Sequence, residues 1–137
     1  MAQNNNKILI IDDDADIVDA MRLVLESKNY QVAAAGSGDE GLKQVKQFDP
    51  DLIILDVMME DLTKGFHVAY TLRSQDPKSD YQKWQKTPIL MVTAVHQVMP
   101  FRYSKDTDQE YLPVSEFIDK PIQPDQLLSL VNKYLKK

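Results

Sequence analysis

The stretch Lys7-Ile-Leu-Ile-Ile-Asp-Asp-Asp14 decides the fold. Lys7 to Ile11 is a continuous apolar run of strand length, rich in β-branched residues. A strand with one wet face would alternate polar and apolar residues. A strand buried on both faces reads as an unbroken run, as in a parallel sheet covered by helices. The run ends on three consecutive carboxylates. The same design recurs further along. Asp51-Leu-Ile-Ile-Leu55 is followed at once by Asp56, and Pro88-Ile-Leu-Met-Val-Thr93 closes on a hydroxyl. A short strand predicted at Ser115 to Asp119 runs into Lys120-Pro121, and Gln31 to Ala35 makes another short strand, second in chain order.

Helical patterns fill the intervals. Ala15 to Lys28 carries Ile17, Met21, Val24 and Leu25 at helical spacing. Asp14 suits the N-cap of that helix, and Asp16 sits in its first turn, where the helix dipole favours negative charge. Ser37 caps a second helix with Leu42, Val45 and Phe48 on its apolar face, stopping near Asp49-Pro50. Gly65 to Ser74 reads as a third helix, on Phe66, Ala69, Tyr70 and Leu72. Pro124 opens the last, which carries Leu127, Leu128, Val131 and Leu135. Gln75 to Thr87 is polar and reads as a long loop that Tyr81 and Trp84 pin down. Across residues 94–114, Pro100 and Pro113 interrupt any long helix, so a short or irregular one is expected. Strands alternating with helices in this way predict an α/β fold, a doubly wound parallel sheet with helices on both faces.

Composition narrows the function. The chain has 137 residues, one domain's worth, and 43% of them are hydrophobic, enough for a real core. With no cysteine it holds no disulfide, no thiol nucleophile and no zinc or iron–sulfur site of the cysteine type. A net charge of −5 is not the footprint of a nucleic-acid-binding domain. No run approaches the ~18–20 apolar residues of a membrane span. Met1 to Lys7 is polar and Asn-rich, without the apolar region of a signal peptide. The chain therefore reads as cytoplasmic, with no membrane partner.

In such folds the functional crevice lies beyond the carboxyl ends of the strands, at the topological switch point. The residues expected there are Asp12, Asp13, Asp14, Asp56, Thr93 and Lys120. Neighbouring carboxylates repel one another unless a cation intervenes. The Lys120 ammonium and a bound divalent ion could both do so, and all-oxygen ligands suit Mg²⁺ or Mn²⁺. An aspartate, a metal, an ammonium and a hydroxyl fit phosphoryl transfer to a carboxylate.

The ordered set Asp12-Asp13, Asp56, Thr93-Ala94 and Lys120-Pro121, each after its own strand, closely resembles the receiver domain of two-component response regulators. The resemblance covers the chain from Lys7 to Tyr134 and implies a flavodoxin-like five-stranded sheet of order 2-1-3-4-5. It implies a receiver domain over residues 7–137 behind a disordered tail, residues 1–6. It further implies that Asp56 is the phosphoacceptor and that Asp13 binds Mg²⁺ directly. Asp12 would help through water, and the main-chain carbonyl of Met58 would be another ligand. Lys120 would pair with the phosphoryl oxygens, Thr93 would be the switch hydroxyl and Phe117 the switch aromatic. The peptide bond before Pro121 would be cis. The implied partners are a sensor histidine kinase or phosphotransfer protein and a downstream protein target. No nucleic acid is expected on this domain, and a phosphorylation-dependent dimer is allowed. The chain would be a signalling switch rather than a conventional enzyme, and its length leaves no room for an output domain.

The sequence departs from the family after Asp56, where Glu60 stands at a common proline position and Gly65 arrives late. Two alternatives stay open beside the switch. One is an inactive pseudo-receiver serving only as an interaction module. The other is a Mg²⁺-dependent aspartyl phosphatase of the haloacid dehalogenase type, although the second acidic pair expected of that fold is missing and Asp119 stands alone. Asp14 reads as a helix cap rather than a ligand, and His67 and His96 as structural or solvent-facing.

Overall fold

The computed structural model describes residues 6–56, 62–74, 77–93, 116–119 and 122–135. Its strands are β1 (Lys7–Ile11), β2 (Gln31–Ala35), β3 (Leu52–Asp56), β4 (Ile89–Thr93) and β5 (Glu116–Asp119). They form one parallel sheet in the order β2-β1-β3-β4-β5. The helices are α1 (Ala15–Glu26), α2 (Gly38–Phe48), α3 (Leu62–Arg73) and α4 (Pro124–Leu135), with a 3₁₀ turn at Gln82–Trp84.

Period-two alternation sorts the apolar runs onto two faces. Leu9, Ile11, Ile53, Leu55, Ile89 and Met91 share one core with Val45 of α2, Val68, Ala69 and Leu72 of α3, and Trp84. Ile8, Ile10, Leu52, Ile54, Leu90, Val92 and Ile118 share the other with Val18, Met21 and Leu25 of α1 and Leu127 and Val131 of α4. The sheet is thus buried on both sides, which is why its strands read as continuous hydrophobic sequence.

The helix boundaries follow local chemistry. Asp14 caps α1, its Oδ1 accepting from the N–H groups of Asp16 (3.0 Å) and Ile17 (3.3 Å). Ser37 caps α2 by accepting from the Glu40 N–H at 3.1 Å. α1 stops at Glu26, two residues before the predicted end, and Asn29 takes the left-handed conformation with φ 71°. α3 begins at Leu62 rather than at Gly65. Glycine costs about 1 kcal/mol inside a helix but does not forbid it, so Gly65 lies within the helix rather than at its start. The predicted helix in 94–114, the tail up to residue 5 and the Lys120-Pro121 peptide lie outside the described residues. Among the described residues, no helix is long and apolar enough to cross a membrane.

The polar stretch before β4 is anchored at the amino-terminal edge of the sheet. α2 ends on Asp49, in the left-handed conformation with φ 57°. Its carboxylate accepts from Trp84 Nε1 and from Lys83 Nζ, both at 2.9 Å. Arg73, at the end of α3, donates to the Gln85 carbonyl at 2.9 Å, and Gln85 Nε2 donates to the Ser74 carbonyl at 2.7 Å. Lys46 lies 4.9 Å from the Tyr81 ring centre and pairs with Asp80 at 3.2 Å. Tyr81 and Trp84 pin this segment, as their aromatic character implied.

The hydrogen bond from Lys83, then that from the Trp84 indole, holds the Asp49 carboxyl below its ordinary range. A carboxyl depressed in the folded chain adds stability that is full above its unfolded pKa of about 3.9 and is lost as pH falls through its folded value. The stability advantage over Asp49→Asn is therefore expected to be widest near neutral pH and to narrow below about pH 4. Urea midpoints of both proteins across that interval test this. A gap independent of pH would remove the ionised carboxylate from the anchor.

Candidate metal centre

The order of the sheet reverses between β1 and β3, opening a crevice beyond their carboxyl ends. Register determines what stands there. Ile10 lies opposite Ile54 and Ile11 opposite Leu55, so Asp12, one residue beyond β1, comes level with Asp56, the last residue of β3. Carboxylate oxygens of Asp12, Asp13 and Asp56 all lie within 4.8 Å of one another. Asp12 is 3% exposed and Asp56 2%, whereas Asp13 is exposed. Two nearly dry carboxylates and a wet one so close together form a site for positive charge.

Backbone contacts hold the first acidic residue in place. The Asp12 N–H donates to the Ala35 carbonyl at 3.0 Å, tying the exit of β1 to the exit of β2. The Asp12 Oδ1 accepts from the Asp14 N–H at 2.9 Å. Asp14 is committed to capping α1 and does not join the carboxylate group, as its place in the run implied.

Three carboxylates offer only hard oxygen donors, with no nitrogen or sulfur among them. Such a set fits Mg²⁺, which takes one or two carboxylates and keeps several waters, and it fits Mn²⁺. It does not fit a zinc site of histidine and cysteine.

The other expected site residues are placed only in part. Asp56 pairs with Val92 across β3 and β4, so Thr93 stands one step beyond it as the last residue of β4. Phe117 lies on β5 opposite Met91, and Asp119 lies opposite Thr93. Met58 and Lys120 lie outside the described residues. Sequence reasoning passed over Gly41, which is buried in α2 against Ile11. A glycine inside a predicted amphipathic helix was its only signal.

Comparison with known proteins identifies the family. The family model described as "Response regulator receiver domain" matches residues 8–132. The chain is 34% identical over 133 residues to the alkaline phosphatase synthesis transcriptional regulatory protein PhoP of Bacillus subtilis, across 97% of this chain and 50% of that protein. It is 32% identical over 131 residues to the DNA-binding dual master transcriptional regulator RpaA of Synechocystis, across 96% and 49%. The chain spans about half the length of these curated relatives. Among solved structures, the chemotaxis protein CheY4 of Vibrio cholerae is 26% identical with a TM-score of 0.77, covering 96% of this chain and 99% of that one.

Proposed function

This chain belongs to the family of response regulator receiver domains, signalling switches of two-component systems, and on that premise we propose that Asp56 accepts a phosphoryl group from a histidine kinase or phosphotransfer protein. The observation that carries this is the convergence of Asp12, Asp13 and Asp56 within 4.8 Å at the switch point of the sheet. Receiver domains bind Mg²⁺ at an acidic cluster of this kind. Here Asp13 and Asp56 would hold the ion directly, Asp12 through water, and Met58 through its main-chain carbonyl. Bound there, the ion supplies the positive charge that the phosphoryl oxygens need.

The chain's own groups account for the transfer. An Asp56 carboxylate oxygen forms the new bond to phosphorus as the phosphorus–nitrogen bond of the donor phosphohistidine breaks. The electron pair returns to that ring nitrogen, and the imidazole, already protonated on its other nitrogen, leaves neutral. Burial of Asp56 keeps competing water from the acyl phosphate. The Lys120 ammonium pairs with the phosphoryl oxygens, and the Thr93 hydroxyl donates to them. Movement of Thr93, with Phe117 following, changes the surface that a protein target reads. The receiver unit is residues 7–137, preceded by a short tail.

Intact mass after incubation with acetyl phosphate, with and without Mg²⁺, tests the proposal. One phosphoryl mass gained only with Mg²⁺ is expected. No gain in a chain that still binds Mg²⁺ and still folds would favour the pure interaction module. Steady release of phosphate from an ester substrate would favour the phosphatase.

A further inference from the structure

α3 ends at Arg73 and β4 begins at Ile89, so residues 74–88 connect them. A helix-to-strand connection in an α/β fold needs about 2–6 residues, and much longer ones are usually functional. Residues 77–87 lie against the carboxyl end of α2, where Lys46 meets Asp80 and Tyr81, and where Lys83 and Trp84 meet Asp49. Hydrogen bonds from Arg73 and to Ser74 fasten the same segment to the end of α3.

Positive charge collects on this surface. Within residues 77–87, Lys78, Lys83 and Lys86 stand against Asp80, in a chain whose net charge is −5. α2 adds Lys43 and Lys46, neighbours on one helical face. All five lysines are exposed. The fold explains their gathering. Helices that cover a parallel sheet end at its amino-terminal edge, where their dipoles favour cations, and Lys46 and Arg73 occupy the last turns of α2 and α3. Two of the lysines are also confined. Lys46 Nζ lies 4.9 Å from the Tyr81 ring centre and 3.2 Å from Asp80, and Lys83 Nζ lies 5.7 Å from the Trp84 ring centre and 2.9 Å from Asp49. Side chains already ordered in this way lose less entropy when a partner meets them.

The arrangement selects among anionic partners. The carboxylates of Asp49 and Asp80 interrupt the lysines, so this is not the continuous basic groove that tracks a phosphodiester backbone. Among the described residues, the exposed large hydrophobic side chains are Leu23 and Tyr70, and neither belongs to α2 or to residues 77–87. The surface therefore lacks the apolar face that enters a membrane. Separately placed, ordered ammonium groups with carboxylates between them complement the spaced carboxylates of an acidic protein segment.

We propose that the carboxyl half of α2 and residues 77–87 form a docking surface for an acidic segment of a partner protein. The surface lies at the amino-terminal edge of the sheet, opposite the carboxylate crevice, so an occupant leaves Asp56 accessible to its phosphodonor. Docking there does not depend on the phosphoryl or Mg²⁺ reading of that crevice.

Titration of the isotope-labelled chain with a glutamate-rich peptide of about 12 residues, followed by two-dimensional NMR, tests this without any variant. Saturable shifts are expected at residues 43–49 and 77–87, including the Trp84 indole N–H, with none at Asp12 or Asp56. Affinity is expected to fall about 10-fold in the double variant Lys43→Glu, Lys78→Glu, and less than about 2-fold in Lys28→Glu, Lys133→Glu, which makes the same change of charge on the helices of the other face. Circular dichroism checks that both variants fold. Absence of saturable shifts, or equal weakening in the two double variants, would overturn the docking surface in favour of diffuse attraction. Equal binding of the peptide with glutamine in place of glutamate would overturn the recognition of carboxylates. Tighter binding of a DNA duplex or of phosphatidylserine vesicles than of the peptide would overturn the choice of a protein partner.

Discussion

Asp56→Asn is expected to gain no phosphoryl mass from acetyl phosphate and Mg²⁺ and, in metal-free buffer, to melt above the unaltered chain. The two effects have one origin. Asp56 and Asp12 are both almost fully buried, and their carboxylate oxygens lie within 4.8 Å of each other and of Asp13. At an effective dielectric constant of about 20, two charges so placed repel by on the order of 3 kcal/mol. Hydration of the exposed Asp13 and relaxation around the pair offset much of that, so a gain of about 1–2 kcal/mol is expected on neutralising Asp56. For a chain of this size the gain corresponds to a rise of about 3–8 °C in Tm. Mg²⁺ is expected to raise the Tm of the unaltered chain by mass action and to raise that of Asp56→Asn much less. Persistence of the adduct in Asp56→Asn would move the acceptor to another carboxylate. A lower Tm in metal-free buffer would mean that Asp56 is held by more than it repels.

Trp84→Ala is expected to destabilise the fold by about 3–5 kcal/mol, the usual cost of emptying a large aromatic site, and to lower Tm by about 10–20 °C. The indole is 7% exposed and belongs to the core cluster containing Leu72, Ile89 and Met91. Its Nε1 donates to Asp49, which also receives Lys83, so truncation removes packing and a charge-assisted hydrogen bond together. Trp84→Phe retains most of the apolar contact and should cost much less. Circular dichroism is the suitable probe, since Trp84 is the only tryptophan in the chain. A Tm within about 3 °C of the unaltered chain, less than 1 kcal/mol on the usual scaling, would show that the segment before β4 does not depend on this anchor.

The parts of the molecule legible in the sequence are those dictated by short-range pattern. β1 and β3 were readable because a doubly buried parallel strand has no polar alternation to blur it, and their terminal carboxylates fell at the switch point. Ser37 and Asp14 were readable as caps because their side chains bond to backbone two or three residues on. The start of α3 was not, since Gly65 looks like a boundary while the helix already runs from Leu62. The partnership of Trp84 with Asp49 spans 35 positions and leaves no periodic trace. The close packing of Gly41 was hidden for a similar reason, because its neighbour Ile11 lies on another element and only the crossing of α2 over β1 brings them together.

Strand polarity divides the molecule into a working end and a handling end. Every carboxyl terminus of the parallel sheet points toward the acidic residues, so the polar segment at 77–87, which feeds the start of β4, sits at the far edge. Pro77 and Lys78 are exposed in a turn there. A graft between them would be separated from the level of Asp56 by the length of β4, about 16 Å at the usual rise per residue. A fluorophore or affinity peptide placed at that turn would travel with the receiver unit and report on its partners without entering the crevice where the carboxylates meet.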